Sequence, residues 1–179
     1  MSASLTYEIP FDKAIFEQQC ELKFDLIWEE GLRRNKIKLW LGIIGLVLGS
    51  AVIYSGDMIG SIFIFIGVLN LILYYDYFSR YRKNERRYFR IIQRESKKMQ
   101  TLKDVSIWEF DKDYFRYKFY KFDAKFNWVA FGGFRIIQDN LFLDFEEQQE
   151  SYILGRTEVG QEHFDVILSF LNEIFPQST

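Results

Sequence analysis

The sequence predicts an α+β membrane protein: a two-helix transmembrane hairpin plus a cytoplasmic antiparallel β-barrel capped by a C-terminal α-helix. Three observations predict it. Two apolar stretches, residues 37–55 and 58–75, dominate a window in which only Asp57 and Asp76 are charged from Leu39 to Ser79. Charge is segregated around that window, with nine Lys/Arg against two acids in residues 80–98 and eight against fourteen in residues 99–179. Beyond Leu102 the apolar period changes from that of helices to that of strands. With 179 residues, 19% aromatic side chains and two prolines, the chain is long enough for one ordinary domain plus the hairpin, and its composition excludes disordered and collagen-like classes.

Residues 1–36 form an N-terminal cytoplasmic segment. Leu5, Tyr7 and Ile9 alternate with Thr6 and Glu8 ahead of Pro10, the pattern of a half-buried strand. Residues 11–36 lack turn signals and set Phe11, Ile15, Leu22 and Leu26 at helical spacing, so a helix leads into the membrane.

Residues 37–77 are the hairpin. At a rise of about 1.5 Å per residue each apolar stretch reaches roughly 27–30 Å, enough to cross a bilayer's hydrocarbon core. Only Ser55-Gly56-Asp57 separates them, so the helices run antiparallel. A chain of this size could not bury two helices that are apolar all round, which disfavours a soluble helical core. A cleaved leader is disfavoured by the polar residues that precede the first stretch. Arg33, Arg34, Lys36 and Lys38 precede the first span, and Arg80, Arg82, Lys83, Arg86, Arg87 and Arg90 follow the second, whereas the turn carries Asp57. The asymmetry places both termini in the cytoplasm, with these ten side chains anchoring the membrane surface and Trp40, Tyr54, Tyr74, Tyr75 and Tyr77 at headgroup level. Gly42, Gly45 and Gly49 suit close helix packing, within the hairpin or in a homo-oligomer. Asn70, the strongly polar side chain deep in a span, is expected to hydrogen-bond across the hairpin.

Residues 78–100 continue the second helix as a basic juxtamembrane segment, with Phe78, Tyr81, Tyr88 and Ile92 at helical spacing and Lys/Arg interspersed. Its charges are expected to orient and anchor the helix as a topology determinant with a solvated basic face, and contact with anionic headgroups is the further functional reading. No element that reads nucleic acid accompanies it.

Residues 101–179 read as strands at 104–110, 114–122, 126–131, 134–138, 141–145 and 151–156. Turns are expected at Asp111-Lys112-Asp113, Asp123-Ala124-Lys125, Gly132-Gly133, Asp139-Asn140 and residues 146–150. Phe164, Ile167, Leu168, Leu171, Ile174 and Phe175 then form the apolar stripe of a helix that Pro176 stops. Six or seven strands closed by an amphipathic helix is a pleckstrin-homology-like layout.

The run Phe126-Asn127-Trp128, Phe134-Arg135-Ile136-Ile137, Asn140-Leu141-Phe142-Leu143 and Tyr152-Ile153-Leu154 resembles the bacterial YcxB-like membrane proteins, with their Trp-containing strand, following hairpin and last strand before the closing helix. The resemblance covers nearly the whole chain. Where that family often has an Ile-Pro-Lys-Arg-like corner, this chain reads Leu154-Gly155-Arg156-Thr157. The resemblance implies a bacterial inner-membrane architecture and supplies no catalytic residues.

Chemistry-bearing residues are sparse. His163 stands alone as the only histidine, and Cys20 as the only cysteine, so disulfide and sulfur-ligated metal chemistry are excluded. His163 reads as a capping or surface residue and Cys20 as a packing residue. No phosphate-binding Gly-rich loop, nucleophile elbow or paired-His zinc motif occurs. Arg116, Lys118, Lys121 and Lys125 occupy early strands where some such domains bind phosphates, but the net charge of the segment opposes this. The acidic run at 146–150 reads as a solvated hairpin tip. No cofactor is expected. The sequence therefore points to a non-enzymatic membrane protein that presents an interaction domain to a protein partner. The alternative is an immunity protein or inhibitor that neutralises a membrane-acting toxin. A channel subunit is disfavoured, since Asn70 alone gives little polar lining.

Overall fold

The computed structural model describes residues 4–146 and 150–176. Its elements are β1 (Leu5–Pro10), α1 (Lys13–Tyr54), α2 (Gly60–Leu102), β2 (Val105–Phe110), β3 (Tyr114–Phe119), β4 (Phe122–Asn127), a 3-10 turn (Trp128–Ala130), β5 (Phe131–Ile137), β6 (Asn140–Phe145), β7 (Ser151–Gly155), α3 (Arg156–Val159) and α4 (Gln161–Ile174). They fall into two compact units, one of Met1–Cys20 with Gln93–Thr179 and one of Glu21–Ile92.

The first unit is built on two antiparallel sheets, ordered β1-β2-β3-β4 and β5-β6-β7. The N-terminal strand pairs in register with the strand that follows α2, from Leu5↔Phe110 to Pro10↔Val105. The helices are therefore inserted between two hydrogen-bonded neighbours of one sheet, and the Phe11 N–H closes the point of exit by donating to the Asp104 carbonyl at 2.9 Å. Trp108, Phe110, Phe115, Phe131, Leu141 and Leu143 bury against one face of α4, where Phe164, Ile167 and Leu171 are fully enclosed. This is the stripe expected from the helical spacing. Burial of so many rings supplies most of the driving force for this unit, and their edge-to-face and tilted packing fixes one arrangement.

Three expected turns are displaced. Asp123-Ala124-Lys125 lies inside β4, and the chain reverses instead at Tyr120-Lys121, between the paired Phe119 and Phe122. The rings of those two residues pack 5.1 Å apart, so keeping every second aromatic on one face outweighs the turn preference of Asp123. Gly132-Gly133 is likewise not a turn. Both belong to β5, where a register shift between Phe131 and Gly133 marks a bulge and Gly133 has φ 146°. The β5–β6 loop is Gln138-Asp139, both at positive φ, and Asn140 already pairs with Ile137. Trp128 stands in the 3-10 turn rather than in a strand, because the Asn127 side chain accepts from the Val129 N–H at 3.2 Å and ends β4. Residues 147–149 of the acidic tip lie outside the described residues.

In the second unit, α1 and α2 are each long and apolar enough to span a membrane. Only 11% of the apolar window in α1 and 6% of that in α2 is buried, too little for the core helices of a soluble protein. Asp12 caps α1, its carboxylate accepting from the Ala14 and Ile15 N–H groups at 2.8 and 3.1 Å. The tight reversal between the helices relies on Gly56 at φ +93°.

Candidate functional site

The side chains with the most concentrated charge lie on α2. Tyr75, Phe78, Ser79, Arg82, Lys83, Arg86, Arg87 and Arg90 line an open groove of about 680 Å³ along one face of that helix. Their spacing of three and four residues keeps the five cations within about 140° of the circumference at 3.6 residues per turn. All five are exposed. Arg82 pairs with Glu85 at 2.9 Å and lies over the Phe78 ring at 5.4 Å, which splints it against the helix. Among the described residues, no carboxylate lies within ion-pair distance of Lys83, Arg86, Arg87 or Arg90. Arg80, one heptad before Arg87 at the margin of this face, is occupied by Asp76 at 2.5 Å.

The opposite side of α2 packs on α1. Phe24, 4% exposed, touches Trp28, Tyr81, Tyr88 and Phe89. Farther along, Gly42, Gly49, Gly60 and Gly67 are buried in the helix seam, and a Cβ on Gly45 would lie 2.9 Å from the Cα of Gly67. The small residues of α1 thus face those of α2 within one chain. Asn70 does not reach across: its Nδ2 donates to the Ile66 carbonyl at 2.9 Å on its own helix, since a helical Asn finds the carbonyl one turn back within reach. The amide that does cross is Asn35, 2% exposed, whose Nδ2 donates to the Tyr74 carbonyl at 3.1 Å. The run of charges around Asn35 hid it in the sequence. Its Oδ1 has no hydrogen-bond partner among the described residues.

The aromatics expected at headgroup level divide into two sets. Trp40, Tyr54 and Tyr75 are exposed at 63%, 95% and 71%, whereas Tyr74 and Tyr77 are half-buried. Tyr77 turns into the seam toward Trp28, where only a glycine at position 31 leaves room for its hydroxyl. On α1, Arg33, Arg34 and Lys36 are exposed, Lys38 is half-buried, and Arg34 pairs with Glu30.

The β unit offers less. Arg116 is held by Asp123 at 2.6 Å and Glu109 at 3.3 Å, Lys121 by Glu95, and Lys125 sits over the Tyr114 ring at 3.2 Å, so these cations do not converge on a common point. A cavity of about 50 Å³ lies beside Gln19, Met99, Trp108, Tyr117 and Glu158, room for water but not for a ligand. Next to it, Glu158 Oε2 accepts from the Gly155 N–H at 2.6 Å and from Gln19 Nε2 at 2.5 Å. Burial pushes the Glu158 carboxyl above its ordinary value, against the pull of those two donors. Proline at 155 would lack the donor this corner uses. His163 Nδ1 lies 2.9 Å from the Val159 carbonyl, and its ring packs on Tyr7. Among the described residues, no group of three or more His, Cys, Asp or Glu is placed to hold a metal ion. No family model, curated protein or solved structure matches this chain.

Proposed function

We propose that the chain is a non-enzymatic protein of the bacterial inner membrane, anchored by α1 and α2 with both termini in the cytoplasm. Its β unit is a pleckstrin-homology-like module that binds a protein partner. The observation that carries this reading is the exposure of the two apolar windows. Helices apolar all round have no face suited to water, and hydrocarbon is the solvent that matches them.

Supporting the orientation are the cations at both outer ends of the helix pair and the lone Asp57 at its turn. Supporting the module are seven strands in two antiparallel sheets with α4 laid over their shared core, an arrangement in keeping with the YcxB-like resemblance. The non-enzymatic part rests on the sequence having no nucleophile–base pair or phosphate loop. Alkaline carbonate extraction should leave the protein in the membrane pellet, and reporters fused to either terminus should be active only inside the cell. Crosslinking in native membranes should capture one discrete partner. Release by carbonate or an external reporter would overturn the anchor and its orientation, and substrate turnover by the purified protein would overturn the rest.

A further inference from the structure

We propose that the basic face of α2 is a docking site for the headgroups of anionic phospholipids, with Arg82 and Lys83 as its principal contacts and Arg86, Arg87 and Arg90 contributing in falling order. This rests on the reading of α1 and α2 as membrane spans.

Three features of the face carry it. First, among the described residues Lys83, Arg86, Arg87 and Arg90 have no carboxylate within ion-pair distance, so their charge is free for an external anion, and Arg82 shares its charge only with the part-exposed Glu85. Second, the face begins where the apolar segment ends, and Tyr75 and Phe78 form the membrane-side end of the groove. Aromatic and basic side chains stacked in that order match the polarity gradient from acyl chain to phosphate.

Third, the direction of the helix matters. Side chains on an α-helix lean toward its N-terminus, and α2 runs N to C out of the apolar segment, so Arg82 and Lys83 lean back toward the bilayer. Their Cα atoms stand about 10–12 Å beyond Tyr75 along the axis, and side chains of this length bring the cations back into the headgroup layer. The Cα of Arg90 stands about 22 Å beyond Tyr75, more than a Debye length outside that layer. The cations of α1 differ: that helix runs into the apolar segment, so Arg33 and Arg34 lean away from it. At 100° per residue the four α1 cations also scatter around the helix instead of sharing one face.

The test reconstitutes the full chain in vesicles of one phosphatidylglycerol for every two phosphatidylcholines. It compares the fraction of spin-labelled phosphatidylglycerol immobilised by the protein with that of spin-labelled phosphatidylcholine. The wild type should favour phosphatidylglycerol, and raised salt should weaken the preference. Replacing both leading cations, Arg82→Gln with Lys83→Gln, should lower the preference by about 25-fold, from roughly fivefold per favourably placed charge. Arg87→Gln with Arg90→Gln should lower it less, and Arg33→Gln with Arg34→Gln should leave most of it. Arg82→Lys with Lys83→Arg should keep it.

Carbonate-resistant incorporation of every variant is scored separately. A protein that never incorporates overturns the membrane reading and the headgroup site with it. A protein that incorporates but shows no lipid preference, or equal losses for all three charge-removing pairs, overturns the headgroup site alone.

Discussion

Gln19 Nε2 donates to Glu158 Oε2 at 2.5 Å, joining residues 139 positions apart in the sequence within the unit that holds the two sheets. The same carboxylate oxygen takes the Gly155 N–H, and Gln19 also reaches Asn140 Oδ1 at 3.4 Å. Glu158→Ala would strand the Gly155 donor and the Gln19 amide, at a cost of about 1–3 kcal/mol. Hydrogen exchange of the β7 and α3 amides, measured on the full chain in detergent, should show faster local opening.

The pH dependence of that unit follows from the same contact. The folded pKa of Glu158 is raised by burial, so its contribution to stability is fully present below the ordinary glutamate value and is lost as pH rises through the raised folded value. Glu158→Gln keeps an acceptor for both donors and cannot ionise. Its protection against exchange should therefore change less with rising pH than that of the wild type. Equal slopes for the two proteins would rule out Glu158 as the source.

A second carboxyl moves the other way. Hydrogen bonds from Lys121 and then Tyr120 hold Glu95 down to about 2. Whatever stability this pairing adds is present above the usual glutamate range and is lost as pH falls through the folded value. In an NMR titration the Glu95 carboxyl should titrate below the other glutamates, and Lys121→Met should return it toward the ordinary value.

Packing of the helix seam predicts strong sensitivity at Gly45 and Gly67. A Cβ on Gly67 would meet the Gly42 carbonyl oxygen at 2.9 Å, and backbone there cannot move aside cheaply. Gly67→Val should splay the helices and make the detergent-solubilised protein more susceptible to protease within the pair. Gly56 has open space around it but φ +93°, so Gly56→Ala should cost only about 1–2 kcal/mol of backbone strain.

Phe115 is wholly enclosed among Trp108, Phe110, Trp128, Phe131 and Tyr152. Phe115→Ala should destabilise the β unit by about 3–5 kcal/mol, read as an earlier loss of near-ultraviolet circular dichroism on heating.

Much of this architecture was legible because its signals are local. The long apolar runs, the stripe from Phe164 to Phe175 and the alternation from Val105 onward each announce an element without knowledge of its neighbours. Errors arose where a distant contact decided the outcome. Asp123 looks like a turn residue, yet Arg116 on the neighbouring strand holds it in β4. Gly132-Gly133 looks like a hairpin tip, but the bulge that pairs β5 with β6 needs that backbone freedom. The partner of β1 lies beyond both long helices, and no local pattern of Leu5, Tyr7 and Ile9 names it. At the candidate site, the cations of α2 were legible as a cluster. Their sharing of one face became clear once a continuous helix from Gly60 to Leu102 fixed their azimuths, and Asn35 became visible only with its partner carbonyl.

The insertion of residues 11–104 between paired strands sets the order of assembly. A ribosome delivers β1 first and its neighbour only after both helices have been made, so the strand must wait, unpaired, while the two long apolar segments are synthesised. Zipping the helices together then shortens the effective tether between the waiting edge and its mate, lowering the entropy lost on closure. Maturation of the two-sheet unit is in this way timed by completion of the helices, and a nascent chain whose strands have not met keeps an open sheet edge that quality-control proteases can recognise.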